Sequence, residues 1–269
     1  MNYIKYILII LLLILTLHIS NYKESFEQKK ALLVLYGESF RDGLQNDRTS
    51  ATKKGFNGQM VACDSHIKFI ETIKRKYNID VEISISTYCT KYNEELKNKY
   101  SNYKLYFNCE KDLIGWNPIA NKALNKLNVN NYEFIIFTRN DICFKDEFIN
   151  NYTINNDKLL FVSQQWTKHD CTENLPEINP IILCIPKKYF YVTKNISIDH
   201  DGWRFYKNNY NLNNNDMGFL LNTYHDADSY KDYNPYYYMV GRDQTSEWYD
   251  KDKINNNYNT DNIFCYNSR

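Results

Sequence analysis

Apolar and polar positions fall in blocks along the chain. Residues 6–19 (YILIILLLILTLHI) are apolar except for Thr16 and His18, and residues 20–30 (SNYKESFEQKK) are polar. Residues 31–36 (ALLVLY) form a continuous apolar run, the pattern of a strand buried on both faces. Residues 42–58 carry three Gly among polar residues and read as a loop. Met60, Ile67, Ile70 and Ile73 lie at helical spacing, which predicts a helix over 59–77. Residues 81–88 (VEISISTY) alternate and predict a strand. A charged helix over 93–100, a short strand over 104–107, a helix over 117–127 with Pro118 in its first turn, and a buried strand over 132–137 (YEFIIF) follow.

This alternation predicts an α/β domain with a mostly parallel sheet flanked by helices. Ligands of such sheets bind beyond the carboxyl ends of the strands, here residues 37–41, 86–90 and 138–141. The second half is less regular. It offers strands over 159–163, 181–185, 219–224 and 236–241, a short aromatic helix over 201–207, and an Asn-rich tail from Asp250. The expected organisation is an anchor over 1–20, a stem over 21–30, one domain over 31–249 and a tail over 250–269.

The opening apolar run is slightly short of the ~20 residues that cross a bilayer core. No small-x-small cleavage site follows it at Leu17-His18-Ile19-Ser20-Asn21, so an uncleaved signal anchor fits better than a cleaved signal peptide. Lys5 precedes the run and Lys23, Lys29 and Lys30 follow it, a balance that does not itself favour a lumenal C-terminus. A globular domain after so short an N-terminus nevertheless places the chain as a single-pass type II membrane protein with its domain lumenal. In that compartment one or two disulfides among the seven Cys are expected. No C-x-x-C pair supports a zinc ribbon. Lys plus Arg number 33 against 32 Asp plus Glu, which argues against a nucleic-acid partner.

Four constellations carry candidate chemistry. In Thr138-Arg139-Asn140-Asp141, two charged residues two apart leave a strand on the same face. A carboxylate there suits a divalent cation, and an Arg suits a phosphate. The plainer expectation is a solvated ion pair closing the strand. At residues 36–41 (YGESFR), Gly37 permits close approach of a ligand and Arg41 offers a phosphate contact. His225, Asp226 and Asp228 cluster after an apolar run and suit metal ligation or base catalysis. Trp166 with His169 and Asp170, and His200 and Asp201 with Trp203, pair rings that stack on sugars with carboxylates that take an acceptor proton.

The order of elements, with an R-x-D string closing the fourth strand, resembles the type-A fold of nucleotide-sugar glycosyltransferases. The R-x-D string resembles a version used by some lipopolysaccharide-type and viral glycosyltransferase-like proteins. That family carries an Asp-x-Asp motif here. Asp141 matches its second Asp, and Arg139 stands in place of the first. The resemblance implies a Rossmann-like nucleotide half, a less regular acceptor half, a sugar-nucleotide donor and a glycan or glycoprotein acceptor. It implies nucleotide-sugar contacts at Tyr36, Gly37, Arg41, Tyr88, Arg139 and Arg242. It implies a Mn2+ or Mg2+ shell from Asp141, His225, Asp226 and Asp228, and catalytic carboxylates among Asp141, Asp201 and Asp170. Arg139 opens another route, since a guanidinium neutralises a diphosphate without a cation. Two alternatives stand beside this one: a non-catalytic, membrane-tethered carbohydrate-binding protein on the same fold, and a metal-dependent hydrolase using His225, Asp226 and Asp228.

Overall fold

The structure, a computed structural model, describes residues 6, 9–16, 28–41, 53–112, 114–163, 178, 181–221 and 236–240. Residues 9–16 are helical, with Ile9 to Leu15 exposed. No helix among the described residues is long and apolar enough to cross a membrane.

The strands are β1 (Lys30–Gly37), β2 (Asp80–Tyr88), β3 (Leu105–Glu110), β4 (Phe134–Arg139), β5 (Ile142–Phe144), β6 (Leu159–Phe161), β7 (Ile182–Pro186), β8 (Met217–Phe219) and β9 (Tyr237–Met239). The helices are α1 (Lys53–Tyr77), α2 (Asn93–Lys99), α3 (Trp116–Lys122), α4 (Asp146–Asn151) and α5 (Gly202–Tyr210). Seven strands form one sheet in the order β3-β2-β1-β4-β7-β6-β8, and β5 pairs with β9 in a second, small sheet. β1 runs parallel to β2 and β4, β2 to β3, and β6 to β8, while β7 is antiparallel to both β4 and β6. The predicted mostly parallel α/β sheet is therefore present, with one reversed strand inserted where the regular half gives way to the irregular one.

The alternation of side chains along β1 divides the core. Ala31, Leu33 and Leu35 face α1 with Ile83, Ile85, Phe134 and Ile136. Leu32, Val34 and Tyr36 face α3 and α5 with Ile135 and Phe137. This two-sided burial is why ALLVLY shows no polar break. At the amino edge of the sheet, Glu82 accepts from Lys30 (3.1 Å), Lys104 (3.2 Å), Tyr106 (3.0 Å) and Tyr132 (2.8 Å), tying β1, β2, β3 and the approach to β4 together. At the carboxyl edge, Cys89 and Cys109 form a disulfide joining the ends of β2 and β3.

Several expected boundaries move. The helix expected from residue 59 begins at Lys53, so six residues assigned to the loop are helical. Gly55 allows this: a Cβ there would stand 1.9 Å from the Phe40 carbonyl oxygen, so only Gly lets the helix meet the β1 loop. β3 runs on to Glu110, and the helix expected over 117–127 starts at Trp116 and relaxes into turns after Lys122. Of the strand expected over 219–224, Phe219 ends a strand that begins at Met217 and pairs with β6 in register Phe161↔Phe219, and residues 222–224 lie outside the described residues. β5 and α4 had no sequence signal separate from the run that contains them.

Candidate functional site at the carboxyl edge of β1 and β4

β1 has β2 on one side and β4 on the other, and the chain leaves β1 toward β2 and returns to its far side at β4. That is the topological switch point, where the loops after the two strands diverge and open a crevice. The register places Tyr36 beside Arg139 across it.

Arg139 is 4% exposed and Asp141 1%. The Arg139 Nε donates to Asp141 Oδ1 at 2.8 Å and Nη2 donates to Oδ2 at 2.5 Å, a bidentate fork. The Trp116 ring lies against the guanidinium, 4.8 Å from its centroid to Cζ. The expected ion pair therefore forms, but it is buried rather than solvated. Burial pulls the Arg139 pKa down, and the Asp141 carboxylate outweighs that pull, so the net direction is up. Tyr36 is pushed well above the ordinary tyrosine value, first by burial. Arg139 opposes the shift, and Asp141 and Asp199 add to it.

A second layer fixes this pair against β1. The Asn140 N–H donates to the Tyr36 carbonyl at 2.9 Å, and Asn140 Nδ2 donates to the Gly37 carbonyl at 3.1 Å. Gln59, fully buried on α1, accepts from the Phe40 N–H at 3.1 Å and donates to the Asn140 carbonyl at 2.8 Å. One amide side chain thus clasps both strand-end loops. Ser39 and Thr87 hydroxyls meet at 2.8 Å and join the ends of β1 and β2. Gly37 sits at φ +90°, and an added Cβ would meet nothing within 4 Å among the described residues. Ser86 Oγ, Thr138 Oγ1 and Asn140 Oδ1 are buried with no hydrogen-bond partner among the described residues. Buried polar atoms are normally paired, so three such atoms at one sheet edge suit a polar ligand.

The structure brings Tyr36, Gly37, Tyr88, Arg139 and Asp141 to this edge. Arg41 closes the β1 loop by an ion pair with Glu38 at 3.2 Å, and its Nε has no partner among the described residues. Asp201 stands exposed in the turn before α5, where its carbonyl accepts from the Phe205 N–H. Two residues earlier, Asp199 accepts a hydrogen bond from Asn117 Nδ2, next to Trp116, and acts electrostatically on Tyr36. Asp199 is the acid of this turn that the structure ties to the crevice. Trp203 is core, stacked on Phe219 at 5.1 Å. Asp170, Arg242, His225, Asp226 and Asp228 lie outside the described residues, as do Trp166 and His169. Trp116, Gln59, Glu38 and Asp199 were not singled out from sequence. Trp116 at the start of a helix after Gly115 was the visible signal.

A divalent cation finds no ready shell among the described residues. No group of three His, Cys, Asp or Glu is placed to hold one there. Both Asp141 oxygens already accept from Arg139. A cation at that carboxylate would also face the guanidinium. Two unit charges 4 Å apart interact by about 4 kcal/mol at an effective dielectric constant near 20, and a divalent ion doubles that repulsion. The described donor set does not fit a metal.

No family model matches the chain, and no curated protein matches it. Solved structures do. A mutant of Drosophila β1,4-galactosyltransferase 7 in complex with manganese, UDP-Gal and xylobiose is 11% identical, and the match covers 84% of this chain and 79% of that one at a TM-score of 0.42. The 4-diphosphocytidyl-2C-methyl-D-erythritol synthase of Anaerococcus prevotii is 12% identical over 73% of this chain and 90% of its own, at 0.46. HddC from Yersinia pseudotuberculosis is 13% identical over 80% and 95%, at 0.41. The likeness is one of fold alone. At these identities and TM-scores it carries no argument about the reaction.

Proposed function

We propose that the chain is a membrane-tethered glycosyltransferase that moves a sugar from a nucleotide-sugar donor to a glycan or glycoprotein acceptor. The observation that carries the reading is the buried Arg139–Asp141 pair, backed by Trp116, at the switch point between β1 and β4. When the bond between sugar and nucleotide breaks, negative charge grows on the departing diphosphate. A fixed cation in a dry site stabilises that charge without reorganising. Tyr36, Gly37 and Tyr88 line the strand ends where base and ribose would lie, and Arg41 and Arg242 are further candidates for phosphate contact. Asp199 and Asp201 before α5, and Asp170, are the candidates for taking the acceptor's proton. The apolar segment over residues 6–19 would hold the domain at a membrane, on the lumenal side.

The test is release of nucleoside diphosphate from a panel of sugar nucleotides by the purified full-length chain. Turnover of one donor is expected, with a loss of about 100-fold or more in Arg139→Ala, the scale of removing one charge-stabilising donor. A chain that neither binds nor turns over any nucleotide, yet retains glycans on an array, would overturn the transferase reading in favour of a binding protein.

A further inference from the structure

The R-x-D string invites a metal-ligating role for Asp141, but the geometry points elsewhere. We infer that Asp141 is a positioning residue for Arg139 rather than a metal ligand, and that this crevice holds a nucleoside diphosphate by the guanidinium's charge, without a divalent cation. The inference rests on the transferase reading for its ligand and goes beyond it in assigning the charge.

Three observations support it. First, the fork from Arg139 occupies both Asp141 oxygens, at 2.8 and 2.5 Å. Metal binding there would require breaking two charge-assisted bonds and leaving a guanidinium beside a dication. Second, the guanidinium is held on a face as well as an edge. Its Cζ lies over the Trp116 ring, 4.8 Å from the centroid, so an aromatic face and a carboxylate both hold the cation. A guanidinium has five N–H donors, and the fork uses two. Third, the backbone under the pair is fastened to β1 through Asn140 and Gln59. Those bonds fix where the cation stands relative to Tyr36 and Gly37. An Asp-x-Asp motif offers two carboxylates that need a cation between them and the phosphates. Here the cation is already covalently part of the strand, and the single carboxylate orients it.

The experiment uses the full-length chain. Mn2+ binding is read by electron paramagnetic resonance, and affinity for UDP, GDP, ADP and CDP, with the matching nucleosides, by calorimetry in EDTA and in Mn2+. The expected result is one nucleoside diphosphate bound with the same affinity in both buffers and no Mn2+ site dependent on Asp141. Asp141→Asn, close in shape to the native residue, is expected to weaken the diphosphate by about tenfold while leaving the nucleoside unchanged. A purely structural role would weaken both alike. Arg139→Lys, which keeps the charge but loses the fork, is expected to follow Asp141→Asn. The inference is overturned if EDTA abolishes diphosphate binding and Mn2+ restores it, or if Asp141→Asn removes a Mn2+ signal present in the unaltered chain. Failure of every nucleotide to bind in either buffer would instead sink the transferase reading and the diphosphate assignment with it. The Mn2+ measurement decides the role of Asp141 in that case too.

Discussion

At the scale of single residues, the site depends on groups with no chemistry of their own. Gln59 is an unremarkable amide in a helical pattern, yet it satisfies the Phe40 N–H and the Asn140 carbonyl, one from each strand-end loop. Replacing it with Leu keeps the volume and strands two buried backbone groups. Each such group costs about 1–3 kcal/mol, so Gln59→Leu is expected to lose roughly 2–6 kcal/mol of stability, read as a lower denaturation midpoint. An unchanged midpoint would mean that the two loops are held by other means. Gly55 is the matching case in backbone form, since its missing side chain is what lets α1 reach Phe40. His66, buried on the same helix, bonds the Tyr100 hydroxyl at 2.8 Å. Burial, opposed by smaller contributions from the Ile142 backbone and Asp141, lowers its pKa to about 4. It is a neutral core residue at any ordinary pH.

At the scale of elements, the two edges of the sheet do different work. The carboxyl edge is loosely satisfied and holds the candidate site. The amino edge is tightly satisfied around Glu82, which is almost fully buried and accepts from two Lys and two Tyr. Burial raises the Glu82 pKa, but the bonds from Tyr132, Lys30, Tyr106 and Lys104 together outweigh it, and the carboxyl sits below its ordinary value. A depressed carboxyl contributes stability above the unfolded pKa, near 4.3, and loses it as pH falls through the folded value. Glu82→Gln is therefore expected to cost about 1.5–3 kcal/mol at pH 7. The gap between the two proteins should close as the pH is taken from about 5 to 3. A gap constant across that range in urea unfolding would show that the charge of Glu82 contributes nothing.

At the scale of the whole molecule, the apolar N-terminus and the α/β domain are separate in composition. Residues 9–16 are helical, with Ile9 to Leu15 exposed. On the proposed tethering, the full-length chain is expected to stay with membranes through an alkaline wash, while a chain beginning at residue 31 appears in the supernatant. Recovery of the full chain in the supernatant would remove the membrane from the proposal.

The regular half of the fold was legible because burial on two faces leaves a local trace. Residues 31–36, 81–88 and 132–137 are strands in the structure at nearly those positions, and their order with the intervening helices already implied parallel pairing. The irregular half was less legible. β7 is an apolar run like the others, and nothing local distinguishes a strand that will pair antiparallel from one that will pair parallel. Helix α1 began earlier than its apolar spacing suggested, because Gly55 is a loop signal in sequence and a close-contact residue in space.

The sequence by itself determined which segments are buried, the alternation that makes an α/β sheet, and the placing of Arg139 and Asp141 at a strand end. Those follow from side-chain polarity and period, which act over a few residues. Only the tertiary structure decided that Arg139 and Asp141 bind each other while buried, that Arg139 lies over the Trp116 ring, and that Gln59 fastens the loops around them. The Trp116–Arg139 contact joins residues 23 positions apart in the chain, and the Gln59–Asn140 contact joins residues 81 apart. Their energies depend on burial and exact distance, and neither is written in a local pattern.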